Sequence, residues 1–254
     1  MNRKIIETRG LKIGEGSPKI CASIIERNQD DILEMAENLC IKAVDMVEWR
    51  LDFYEDVDNI DEVCKTASLI SSILRNKPLL ATFRTKKEGG EREISPENYE
   101  RLLVGTAASA AVDMVDVESY FFEREKAVSI IERLKKECIV VGSYHDFNST
   151  PCEKEIVDRL LYMAEIGADI PKIAVMPEKE KDLFTLMSAS RDAADRLEQP
   201  VVTMSMGSIG ALSRFAGART GSAVTFGCLG EPSAPGQINV NELRDIMDKF
   251  DLLS

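Results

Sequence analysis

Residues 138–177 read CIVVGSYHDFNSTPCEKEIVDRLLYMAEIGADIPKIAVMP, and this stretch decides the fold. Two short apolar runs, Ile139–Gly142 and Ile173–Met176, flank a segment of helical periodicity. Neither run alternates apolar with polar residues as a half-wet sheet does, so both read as buried parallel strands. Each carries one residue that such a strand tolerates poorly. The first leads into His145, the single histidine of the chain, and the second follows directly on Lys172, whose sequence neighbours are nearly all apolar. An amine in apolar surroundings loses hydration of its charged form, which predicts a lowered pKa and more free amine near neutrality. A histidine titrates near neutrality without help. The two residues lie 27 positions apart. One strand–helix–strand unit takes about 30 residues, which places them on neighbouring strands. A nucleophilic amine beside a proton carrier is the equipment of Schiff-base chemistry. Taken singly, each also reads as structural: a hydrogen-bonded histidine, and a lysine with a buried stem and a wet tip.

Outward from this unit the same alternation runs along the chain. After a β-hairpin at the N-terminus (Ile5–Glu7, a turn near Arg9–Gly10, Leu11–Ile13), eight strand-like runs follow. They are Lys19–Ile24, Met46–Leu51, Pro78–Arg84, Met114–Glu118, Cys138–His145, Pro171–Met176, Val201–Met206 and Ala223–Cys228. Helical patterns such as Gln29–Leu39, Pro96–Ala108, Glu123–Lys136, Glu153–Ile166 and Glu178–Leu197 lie between them. Pro96 and Glu178 suit a first helical turn, and Gly167 suits a helix C-terminus. Eight such units in 254 residues predict a (β/α)8 TIM barrel, with the N-terminal hairpin closing the barrel bottom. No linker or low-complexity tract divides the chain, so residues 1–254 are expected to form one catalytic domain. The rival is a doubly wound open sheet. A dinucleotide site would need GxGxxG after the first strand, but Ile25, Glu26 and Arg27 stand there.

Composition narrows the function. Hydrophobic residues make up 44% and charged residues 30%, an ordinary globular balance. The net charge of −12 argues against nucleic acid or an anionic membrane surface as partner. No apolar run reaches the length of a membrane span, and no apolar segment follows MNRKIIETRG, so neither an anchor nor a secretory signal is expected. Six cysteines stand singly beside one histidine, which predicts reduced thiols, a cytoplasmic location and no zinc or other metal.

In a barrel of this kind the active site forms at the C-terminal strand ends. Polar residues at those ends are Ser23, Glu48, Arg50, Arg84, Asp116, Glu118 and His145, followed by Lys172. The strand period of two places Glu48 with Arg50, Thr82 with Arg84, Ser143 with His145 and Lys172 with Ala174 on common faces. If these faces point inward, one cavity holds an amine, a base, arginines and acids. Such charges are costly to bury unless paired. An alternative is a salt-bridge lattice of Glu48 and Arg50 with Arg84 and Glu118. Arg50, Arg84 and Arg214 near the mouth suit a small carboxylate or phosphate. The loop GCLGEPSAPGQ (227–237) reads as a lid carrying Ser233 and Gln237, and KKEGGERE (86–93) as a mobile loop whose Glu88 reaches the site. Met204, Met206 and Phe226 come from the last strands.

EWRLD (48–52), TFRTKKEGG (82–90), SYHDF (143–147), PKIAVMP (171–177), MSMG (204–207) and EPSAPGQ (231–237) stand in order along the chain. Together with Asp116-Val-Glu118 ahead of VVGSYHD, these motifs resemble those of the type I 3-dehydroquinate dehydratases of the shikimate pathway, over nearly the whole length. The resemblance implies a cofactor-free syn dehydration of 3-dehydroquinate to 3-dehydroshikimate. Lys172 would form the Schiff base, His145 would act as base and then acid, and Glu88 would orient His145. Arg214, Ser233 and Gln237, with Ala234, would hold the substrate carboxylate and ring. Ser23, Glu48, Arg50 and Arg84 would surround the ring hydroxyls, against a wall of Met204, Met206 and Phe226. A homodimer is implied as well, without the fused shikimate dehydrogenase of plant relatives. A class I aldolase would share the lysine but need a C–C cleaving constellation. A ligand-binding barrel without turnover would have little use for Lys172, His145 and Glu88 together.

Overall fold

The computed structural model describes residues 4–251. Met1–Arg3 and the last three residues, on which part of the reading of the termini falls, lie outside them. The chain opens with a hairpin of β1 (Ile6–Thr8) and β2 (Leu11–Ile13), paired Ile6 to Ile13 and turned at Arg9–Gly10. Eight parallel strands follow: β3 (Lys19–Ile24), β4 (Met46–Arg50), β5 (Leu79–Thr82), β6 (Met114–Glu118), β7 (Ile139–Asp146), β8 (Ile170–Val175), β9 (Val202–Ser205) and β10 (Val224–Gly227). They pair in chain order, with β10 returning to β3. Between β9 and β10 the ladder shrinks to one bridge at Val201 and Ser222. Ala223 N donates to Val201 O at 2.8 Å and Thr203 N to the Ser222 hydroxyl at 3.0 Å. The result is a nearly closed (β/α)8 barrel.

The helices are α1 (Gln29–Cys40), α2 (Ile60–Leu74), α3 (Pro96–Ala108), α4 (Arg124–Leu134), α5 (Glu153–Glu165), α6 (Glu180–Arg196), the short α7 (Ala211–Phe215) and α8 (Gly217–Thr220), and α9 (Val240–Asp251). Their starts follow local chemistry. Ser95 caps α3 ahead of Pro96, and Asn28 and Asn59 cap α1 and α2. Gly167 follows α5 at φ +103°, where an L side chain is strained. In α4 the buried Ala127, Ile130, Ile131 and Leu134 recur at helical spacing and face the sheet. Helix α6 starts two residues later than Glu178 suggests. The Asp182 carboxylate accepts the backbone N–H groups of Glu178 and Lys179, which fixes the start at Glu180.

The barrel interior is layered by strand period. The lowest layer is apolar: Cys21, Met46, Leu80, Met114, Val141, Ile170, Val202 and Val224 pack with Ile6 and Ile13 of the hairpin. The hairpin thus plugs the bottom, and each of its isoleucines contributes about 2 kcal/mol by burial. Asp45, Asp113 and Asp169 each precede a strand and accept a backbone N–H from the strand before, at Ile20, Leu79 and Val140. Arg244, Arg9 and Lys135 neutralise them in turn. This bottom is built for stability. The next inward positions, two residues further along, bring in the first charges, Glu48, Asp116 and Lys172.

Candidate active site

Above the apolar floor lie Ser23, Glu48, Thr82, Asp116, Ser143 and Lys172, and one step higher Arg50, Arg84, Glu118 and His145. The inward faces expected from the strand period are the ones observed. One cavity at the C-terminal end is lined by Glu48, Arg50, Thr82, Arg84, Glu88, His145, Lys172 and Ala174. Met204, Met206 and Phe226 form an apolar side, and Ser233, Ala234 and Gln237 cover it from the loop after β10.

The expectation of a lysine in apolar surroundings needs correction. Lys172 Nζ lies 3.3 Å from Asp116 Oδ2, 3.5 Å from Glu48 Oε1 and 4.7 Å from the centre of the Phe226 ring. Its apolar sequence neighbours Ile173 and Pro171 belong to the other face of the strand. Its neighbours in space come from β4 and β6. Glu48 is itself held by Ser23 at 2.7 Å and Thr82 at 2.9 Å.

The 86–93 segment, expected as a mobile loop, forms a hydrogen-bonded turn around a 3-10 helix, Lys86–Glu88. A Cβ on Gly90 would lie 1.9 Å from Arg84 O, and one on Gly89 2.3 Å from the Phe147 ring, so both positions require glycine. The turn carries Glu88 into the interior, where one carboxylate oxygen accepts His145 N–H at 2.9 Å and meets His145 Nδ1 at 3.1 Å. A proton on Nδ1 then leaves the lone pair of Nε2 free for the cavity. Burial, with the nearby charges of Arg84, Lys172 and Arg50, holds the His145 pKa well below 6.5. Burial beside Glu118 pushes Glu88 well above the ordinary carboxylate range, although Arg84 opposes this. A neutral imidazole is ready to act as a base. The acid limb of kcat/KM is therefore expected below pH 6.5, and a limb at or above that value would contradict this environment. Stability follows the same sign. Below about pH 6.5 the unfolded chain takes up a proton that folded His145 refuses, so stability falls as pH drops toward the folded pKa.

Arg84 is buried at the edge of the cavity, bonding Asp116 at 2.8 Å, Glu118 at 3.0 Å and Ser143 at 3.0 Å. Of the alternative lattice only the Arg84–Glu118 pair is present, whereas Arg50 forks onto Asp52 at 2.8 and 2.7 Å and Glu48 lies beside Lys172. Asp52 was not singled out in the sequence. It also accepts Arg84 N and Glu91 N, tying the end of β4 to the turn that bears Glu88. Its place two residues after Arg50 in EWRLD was the available signal.

Arg214 stands apart from the cavity lining. Only 1% exposed, it donates to Phe226 O at 3.2 Å and Pro235 O at 2.9 Å, while its Nε has no partner among the described residues. Burial pulls this guanidinium down to about 10, which leaves it charged at neutrality. It anchors the loop over the site. Gln237 and Ser233 bond each other, and Ser233 reaches Ser23 at 3.0 Å. Ser23 thereby joins the loop to Glu48.

A (β/α)8 barrel with a buried lysine, a carboxylate-held histidine and clustered arginines at its C-terminal end defines a lyase-type barrel site acting on a small polar molecule. The model of the type I 3-dehydroquinase family matches residues 20–253, and the chain belongs to that family. It is 44% identical over 249 residues to a 3-dehydroquinate dehydratase of Listeria monocytogenes, covering 98% of each chain. The crystal structure of the type I enzyme of Clostridium difficile with covalently modified comenic acid superposes with a TM-score of 0.95 at 41% identity, covering 99% of this chain and all of that one. The 3-dehydroquinate dehydratase of Geobacillus kaustophilus gives 0.96 at 34% identity, covering 99% and 98%. Among the described residues, no helix is long and apolar enough to cross a membrane.

Proposed function

We propose that this chain, as one catalytic domain over residues 1–254, dehydrates 3-dehydroquinate to 3-dehydroshikimate in the shikimate pathway through a Schiff base on Lys172. The observation that carries the reading is that Lys172 and His145 line one cavity while Glu88 occupies the far nitrogen of the imidazole. The covalently modified comenic acid in the Clostridium difficile relative is in keeping with a site that forms covalent adducts.

The amine of Lys172 attacks the ketone carbon. Loss of the carbonyl oxygen as water leaves an iminium, which acidifies the adjacent C–H. His145 Nε2 takes that proton and returns it to the departing hydroxyl on the same face of the ring, a net syn elimination. Hydrolysis of the product imine frees Lys172. Glu48, Arg50 and Arg84, with Ser23, surround the ring hydroxyls, and Met204, Met206 and Phe226 form the apolar wall. Ser233, Ala234 and Gln237 close over the ligand, and Arg214 supports its carboxylate through the loop that it anchors. No cofactor is required for these steps. A cytoplasmic location, in keeping with the free cysteines, and a homodimer complete the proposal. Turnover of 3-dehydroquinate carrying deuterium at one of the two C2 positions tests it. Loss of label from only the position syn to the hydroxyl is expected, and loss from the opposite position would reject the stereochemical reading.

A further inference from the structure

Asp116 sits beneath the cavity rather than on its wall. It is wholly buried, and its Oδ2 lies 3.3 Å from Lys172 Nζ. Its other oxygen accepts the Ser143 hydroxyl at 2.5 Å and Arg84 Nη2 at 2.8 Å. Three strands therefore fix this carboxylate: β5 ends beside Arg84, β6 carries Asp116 itself and β7 carries Ser143. Glu48, the second acid near the lysine, opens on the cavity and is available to substrate. Asp116 is covered by the lysine and the arginine and does not itself line the cavity.

We propose that Asp116 is a catalytic residue of this site, the fixed counter-ion that stabilises the cationic nitrogen of Lys172 as it passes from ammonium to iminium. The inference rests on the Schiff-base reading above. The step balances without help from Asp116. The ammonium gives up one proton to free its lone pair, and the lone pair makes the C–N bond. The carbonyl oxygen takes up that proton and a second one from nitrogen and leaves as water, so one positive charge remains on nitrogen in the C=N bond. Asp116 gains and loses no proton. Burial opposes its charge, but Arg84, Lys172 and the Ser143 hydrogen bond outweigh burial, and its carboxyl stays below the ordinary range. A charge already held in place by Ser143 and Arg84 needs no reorganisation when the iminium forms, which is the condition for strong electrostatic stabilisation in a dry site.

The test is the rate of borohydride-trapped adduct formation on Lys172 with 3-dehydroquinate, beside the Kd for quinate, whose alcohol cannot form an imine. Asp116→Asn keeps the shape and removes the charge. It is expected to slow trapping about 100-fold with quinate Kd changed less than about twofold. Ser143→Ala, which leaves the charge but frees it from one hydrogen bond, is expected to slow trapping about tenfold, and it carries the test alone if Asp116→Asn does not fold. Trapping at the native rate in the folded variants overturns the proposal. So does an equal loss of trapping and of quinate binding, which would make Asp116 only a support for Arg84. A native enzyme that turns over without any adduct overturns the Schiff-base reading itself, and that result is read from the native protein alone.

Discussion

Lys172→Ala is expected to lower kcat by about 10⁵-fold or more while the barrel remains folded. Among the described residues the side chain is the one amine lining the cavity, and no other residue of that lining can replace it as a nucleophile toward a ketone. The fold should survive because the charges left behind are not orphaned. Asp116 keeps Arg84 and Ser143, and Glu48 keeps Ser23 and Thr82. Removing one partner from a buried ion pair still costs about 3 kcal/mol, so a lower melting temperature is expected with an unchanged far-UV spectrum. Steady-state turnover of 3-dehydroquinate checks the first part and thermal melting the second. Residual activity within tenfold of native would end the proposed role of Lys172.

The second large effect separates bond formation from proton transfer. His145→Ala is expected to capture 3-dehydroquinate on Lys172 and then stall, with kcat lower by about 10⁴-fold. The iminium needs only the lysine and its carboxylate neighbours, whereas removal of the adjacent proton needs the imidazole that Glu88 orients. Intact mass measurement without reductant should show the adduct accumulating. A variant that neither accumulates adduct nor turns over would assign His145 to imine formation instead.

The fold was legible because the signals are local. Met114–Glu118 and Pro96–Ala108 have the bounds expected from apolar runs and from Pro96 at a helix start. The inward faces of Glu48 with Arg50 and of Thr82 with Arg84 follow from the strand period alone. Hidden from the sequence was whatever depends on which strands are neighbours. Lys172 looked apolar because residues next to it along a strand point away from it, while Asp116 and Glu48 are 56 and 124 positions distant. Arg214 was expected at the mouth of the site because its sequence context shows a charge and no partner. Its partners are the carbonyls of Phe226 and Pro235, which no side-chain pattern reveals. The turn at 86–93 looked loose for the same reason. Its glycines signal flexibility in isolation, but here they admit the close approach of Arg84 O and Phe147.

Borohydride reduction of the native protein in the presence of 3-dehydroquinate, followed by peptide mass spectrometry, tests the central claim most directly. The account predicts one reduced adduct, on the peptide containing Lys172, with loss of activity in proportion to its formation. Full activity after reduction with no adduct, or an adduct confined to another lysine, would contradict it.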